Sequence, residues 1–163
     1  MAEETRRVPA FLSGPTTATA VLLPLRLYVG YFWLKLGLTK LNAGWLATDQ
    51  QHLPDVIESL TAPRWFEYAF LEAANENVYL FQWLIVIFEL LFGALMLAGG
   101  VVRVAGIGIA VMAVIAFICT GYDHGTWALP MALIALTLAV ASAGRYLGLD
   151  AILRARLVKV PLF

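Results

Sequence analysis

Glu89 stands near the middle of Val78 to Gly99, a run of about 22 residues with no other charge. That is roughly the length a helix of about 20 residues needs to cross a bilayer. A carboxylate at that depth costs on the order of 2–3 kcal/mol, so it faces a bundle interior, a cation or a cavity. Two chemistries suit it: taking up and releasing a proton, or forming half of a structural ion pair. Arg26 and Lys35 lie inside another apolar stretch. Counted at about 1.5 Å per residue, Glu89 falls roughly 15 Å and Arg26 roughly 22 Å below one surface, a gap an arginine side chain can bridge. Arg26 is therefore the expected partner of Glu89, although the lean of helical side chains toward the N-terminus points it the other way.

Other groups offer weaker chemistry. Lys40 ends the first apolar stretch, where it either anchors the interface or draws an anion. Lys35 is expected to snorkel toward headgroups. Tyr122, Asp123 and His124 form a run at the end of the third apolar stretch; a histidine beside an aspartate can relay protons, but a loop histidine can equally be solvated. His52 lies in an acidic loop. Cys119 is the sole cysteine; it reads as a packing residue, with a sulfur-carrying role as the alternative. A lone thiol excludes an internal disulfide, a CxxC pair and a thiolate cluster. With only two histidines, both in loop segments, haem ligation inside a bundle is excluded as well. No phosphate-binding or dinucleotide glycine motif occurs, so no metal, haem or flavin is expected on this chain.

The elements that must position these groups are helices. Arg26, Gly30, Trp33, Gly37 and Lys40 recur at steps of four and three, which places them on one face. Gln82, Val86, Glu89, Gly93, Met96 and Gly100 form a second such stripe. Glycines in both let backbones approach closely, so the stripes read as facing seams of antiparallel helices. The expected fold is all-α: an integral membrane four-helix bundle spanning about 18–41, 78–99, 102–122 and 126–144, as one domain over 1–163. Short interfacial helices, broken at Pro54 and Pro63, are expected in the loop from Asn42 to Asn77. Asp150 reads as the cap of a C-terminal amphipathic helix carrying Arg154 and Arg156. Arg145 and Tyr146 read as structural.

Composition agrees with a membrane setting. The chain is 61% hydrophobic and 13% charged, with a mean hydropathy of +0.81, against about half apolar and a quarter charged in soluble domains. Arg26 and Lys35 interrupt any signal-peptide core in the first stretch. Net charge is zero, so no electrostatic case for nucleic acid exists. The loop from Asn42 to Asn77 carries Asp49, Asp55, Glu58, Glu67, Glu72 and Glu76 against Arg64 alone, whereas Arg6, Arg7, Arg103, Arg145, Arg154, Arg156 and Lys159 lie on the other side. The positive-inside rule then places both termini in the cytoplasm and the acidic loop outside, in a multi-pass protein of the inner (cytoplasmic) membrane.

Arg26-Leu27-x-x-Gly30, Gly37-x-x-Lys40-Leu41, Glu89-x-x-x-Gly93, Leu97-x-Gly99 with Arg103, and Gly144-Arg145-Tyr146-Leu147-Gly148-Leu149-Asp150 together resemble the DoxX/DoxD family. The opening RLYVGYFWLKLGLTKL and the closing GRYLGLDAIL are most similar to its DoxD branch. The resemblance runs from Ala18 to Leu153. It implies a membrane subunit of a thiosulfate:quinone oxidoreductase, working with quinone, membrane lipid and other membrane or outer-face subunits. On that implication Glu89 and His124 are the expected proton-handling residues, and Lys40, Arg26 and Tyr122 the expected substrate-binding ones. The alternative is a non-catalytic accessory subunit whose small-residue seams serve assembly.

Overall fold

A computed structural model of the chain describes residues 20–47, 51–141, 143 and 149, with the backbone alone for 122–124. The described residues form helices α1 (Leu23–Asn42), α2 (Leu53–Glu58), α3 (Arg64–Phe66), a π-helical turn (Glu67–Leu71), α4 (Glu72–Glu76), α5 (Val78–Ala98), α6 (Val102–Gly125) and α7 (Ala128–Val140). Two of them, Val78–Ala98 and Val102–Gly121, are long and apolar enough to cross a membrane. α1 matches them in length but carries Arg26, Lys35 and Lys40. The basic segment beyond Asp150 lies outside the described residues.

Local chemistry sets the ends of these helices. Pro24 sits in the first turn of α1, where its missing N–H leaves no bond unmade. α5 stops at Gly99, whose left-handed φ of 66° lets the Gly100 N–H reach back to Leu95 O at 2.9 Å. α6 is broken at Gly121 (φ 63°, ψ −166°), next to the expected end at Tyr122, and a separate short turn carries it on to Gly125. The break frees carbonyls that the outer segment uses: Thr61 N–H donates to Cys119 O at 3.0 Å and Thr61 Oγ1 to Thr120 O at 3.3 Å. One expectation is corrected here. Pro54 does not break a helix but opens α2 from its first turn, a position that costs proline nothing.

The dominant packing is α1 along α5 and α6 along α7, with smaller contacts of α5 to α6 and α1 to α7. On α1 the buried residues are Arg26, Val29, Gly30, Trp33 and Gly37; on α5 they are Val78, Gln82, Val86, Glu89, Gly93 and Met96. These are the two stripes read from the sequence, and Lys35 is exposed on the opposite face. At Gly93 the helices touch backbone to backbone: a Cβ there would lie 2.5 Å from Leu34 N and 2.8 Å from Leu34 Cα. Below this seam Trp33, Met96, Val102, Ala105, Ile109 and Leu138 join one apolar core. Outward, α1, α5, α6 and α7 expose large apolar side chains such as Leu27, Leu80, Leu91, Ile107, Val111, Leu133 and Val140, as lipid-facing helices do.

Candidate functional site

The α1–α5 register decides which charges meet. Gly30 faces Leu97, Leu34 faces Gly93 and Gly37 faces Leu90, so a step up one helix is an equal step down the other. Extending that register puts Lys40 beside the turn that bears Glu89. Arg26, 14 residues earlier in the chain, sits about 21 Å further down the helix.

Glu89 accordingly pairs with Lys40, whose Nζ donates to its Oε1 in a short contact. This corrects the expected Arg26 partnership. Depths counted from separate helix ends ignored the glycine-set offset between the helices. Arg26, only 1% exposed, instead donates from Nη1 to Ala143 O at 2.9 Å. It thereby serves a carbonyl just beyond the end of α7. The lean toward the helix N-terminus, noted as an objection to the Arg26–Glu89 pair, acts as expected.

The segment between α1 and α5 covers the Lys40–Glu89 pair with a layered set of contacts. Lys40 Nζ lies over the Trp45 ring, 5.5 Å from its centroid, a cation–π arrangement. The other partner of Trp45 is His52, stacked at 5.8 Å with 7° between planes. Gln82, wholly buried, fixes both to α5. Its Oε1 accepts from His52 N–H at 2.8 Å and Leu53 N–H at 2.9 Å, and its Nε2 donates to Trp45 O at 3.0 Å. One turn further in, Val86 is fully buried between Gln82 and Glu89 on the same face.

The pair is unevenly placed. The Lys40 side chain keeps 24% of its surface exposed and Glu89 only 5%, so the site opens on the lysine side. Two buried polar atoms of the seam, Glu89 Oε2 and Trp33 Nε1, have no hydrogen-bond partner among the described residues. Such atoms are uncommon, and each left unmatched costs about 1–3 kcal/mol.

Of the expected site residues, Lys40 and Glu89 meet and Arg26 is held elsewhere. Tyr122 and His124 lie in the backbone of α6 beyond Gly121; their side chains are outside the described residues. Cys119 is buried against Phe66 and Leu71, as a packing residue would be. Trp45 and His52, which cover the pair, were not singled out for that role by the sequence. Gln82 was visible in the stripe, but its three loop contacts had no periodic signal. Among the described residues no group of three or more His, Cys, Asp or Glu side chains is placed to hold a metal ion. Two shallow grooves of about 230 and 270 Å³ open elsewhere. One lies between α6 and α7 beside Arg103 and Ile107, the other between α1 and α7 beside Leu25 and Thr137.

No curated protein and no solved structure matches the chain. A family model described as "TQO small subunit DoxD", the small subunit of thiosulfate:quinone oxidoreductase, matches residues 21–162. That span takes in both glycine seams, the Lys40–Glu89 pair and the outer segment above it, and the chain belongs to the DoxD family.

Proposed function

We propose that this chain is the membrane subunit of a quinone-linked oxidoreductase that passes electrons from thiosulfate, or a related reduced sulfur compound, to quinone. Four helices, α1, α5, α6 and α7, would cross the inner membrane as a bundle. Both termini would lie in the cytoplasm, with the acidic segment outside. The observation that carries the reading is the Lys40–Glu89 ion pair, set under a fitted cover with Glu89 on a helix long and apolar enough to cross a membrane, in a DoxD-family chain. An intramembrane pair of this kind marks a functional site by default.

Reducing a quinone takes two electrons and two protons. Glu89 is the proton-carrying group, set in a seam that leaves only 5% of its side chain exposed. Lys40 orients that carboxylate and offsets its charge, while Trp45 and Gln82 keep the lysine head and the covering loop in place. Tyr122 and His124 lie at the same end of the molecule, because Thr61 of the outer segment bonds to α6 next to Gly121. His124 is the proposed relay between Glu89 and the outer water. The electron donor and its redox groups belong to partner subunits.

The test is isolation of the native membrane complex, extraction of bound quinone and assay of thiosulfate-dependent quinone reduction. Quinone in the preparation and a turnover lost in Glu89→Gln support the proposal. A complex that assembles without quinone, with turnover unchanged in Glu89→Gln, leaves the chain as an accessory subunit.

A further inference from the structure

Resting on that reading, we infer that the Lys40–Glu89 site grips quinone in its hydroxylated, reduced form, and that the sulfur oxyanion binds elsewhere, on a partner subunit. The argument starts from the oxygen Lys40 does not use. Glu89 Oε1 accepts the hydrogen bond from Lys40 Nζ, while Oε2 is buried with no partner among the described residues. An ionised carboxyl group only accepts hydrogen bonds. What completes Oε2 must therefore bring an O–H or N–H. A quinol has two O–H groups; the oxidised quinone has none, and its carbonyl oxygens face Oε2 as acceptor to acceptor.

Thiosulfate fits less well still. It is a dianion without a donor hydrogen, and Lys40, the cation that the described residues place here, is already matched by Glu89 and lies over the Trp45 ring. The approach from outside adds to the mismatch: Asp55, Glu58, Glu67, Glu72 and Glu76 stand in the described outer segment against Arg64. Like charge raises the energy of an anion along this path. The earlier expectation that Lys40 draws in the oxyanion is thus replaced by a division of labour. This chain holds the quinol end, and the oxyanion is oxidised on a partner subunit.

Among the described residues the Trp33 Nε1–H, two turns below Lys40 on the same face of α1, also has no hydrogen-bond partner. A quinol oxygen both donates and accepts, so it can serve an acceptor such as Oε2 and a donor such as this indole. An oxyanion can serve only the indole. The acceptor is what discriminates.

The experiment measures anaerobic binding of a short-chain hydroquinone and of the matching quinone to the purified native complex in lipid nanodiscs. A charge-assisted hydrogen bond is worth about 1.5–3 kcal/mol, so the hydroquinone should bind at least about tenfold more tightly. Read by redox titration, a tenfold preference raises the midpoint of the bound couple by about 30 mV. In Glu89→Leu with Lys40→Leu, which leaves no charge unpaired, the ratio should fall to about one. Excess thiosulfate should not displace the hydroquinone. Equal binding of both forms to the wild type overturns this inference and leaves a quinone site standing, as does displacement by thiosulfate. Should neither form bind, the proposed function falls with it. The wild-type ratio decides the matter even if the double variant does not fold.

Discussion

Lys40 reaches Glu89 because Gly93 and Leu34 bring the backbones of α1 and α5 into contact one to two turns away. The pair sits 49 residues apart in sequence, yet its register is fixed by a glycine one turn along α5 from Glu89. The ion pair is therefore a property of the whole seam, and its energetics can be probed from both ends.

Removing one partner should cost far more than removing both. Glu89→Leu alone leaves an ammonium group in an apolar seam, and loss of one member of a buried pair costs about 3–5 kcal/mol. Lys40 is partly exposed, so about 2–3 kcal/mol is expected, since its head can turn toward water. The double change Lys40→Leu with Glu89→Leu should recover most of that loss. Reversible unfolding in mixed micelles measures it. Additive single-variant losses in the double would show that the two groups do not act as a pair.

Gly93→Ala should open the seam. Its new methyl would stand 2.5 Å from a backbone nitrogen of Leu34, and backbone cannot yield as a side-chain tip can. Overpacking of this kind costs about 1–3 kcal/mol. The variant should also weaken the Lys40–Glu89 contact one to two turns away. The coupling energy between Lys40 and Glu89, read from the single and double leucine variants above, should shrink when Gly93→Ala is added to all four proteins.

Much of this arrangement is legible in the sequence. The stripes from Arg26 to Lys40 and from Gln82 to Met96 declare their buried faces through spacing alone, because helical period and burial are local properties. The offset between the stripes is not legible in the same way. It depends on which glycine meets which leucine, and counting down from the ends of the apolar runs put Arg26, rather than Lys40, opposite Glu89. The cover over the site is less legible still. Trp45 and His52 come from irregular segments whose positions are set by three hydrogen bonds to one glutamine, and no periodicity announces a side chain that staples a loop.

That staple makes its own prediction. Gln82→Leu roughly keeps the volume but removes the side-chain acceptor and donor that Gln82 offers to His52, Leu53 and Trp45. At about 1 kcal/mol per bond the loop connection is nearly lost, while α5 itself remains helical. Amide hydrogen exchange should rise at His52 and Leu53 and stay unchanged in the α6 core around Ile109. Exchange rising everywhere would mean that Gln82 supports the whole fold rather than its outer cover.

Orientation is checked by labelling. With Cys119 replaced by Ala, a cysteine at Glu58 should react with a membrane-impermeant maleimide added to intact cells, and one at Arg156 should react only after lysis. The reverse pattern would place the acidic segment inside and remove the route from Glu89 to the outer water.

The functional prediction concerns turnover. If Glu89 passes a proton to or from quinone, Glu89→Gln keeps its shape and one hydrogen-bonding oxygen but loses the exchangeable proton. General acid–base catalysis contributes on the order of 10²–10⁴-fold, so turnover should drop by at least about 100-fold and its pH profile should lose the limb that this carboxyl controls. Lys40→Met acts differently. It leaves the carboxyl present but without its positioning partner, so the apparent affinity for quinone should fall more than the turnover at saturation. The thiosulfate concentration needed for half-maximal rate should stay the same in both variants, because the oxyanion is handled on another subunit. The two variants thus separate proton transfer from positioning within a single assay of the assembled complex. Equal quinone reduction by wild type and Glu89→Gln, in complexes that assemble alike, would show that the pair holds α1 to α5 and takes no part in the chemistry.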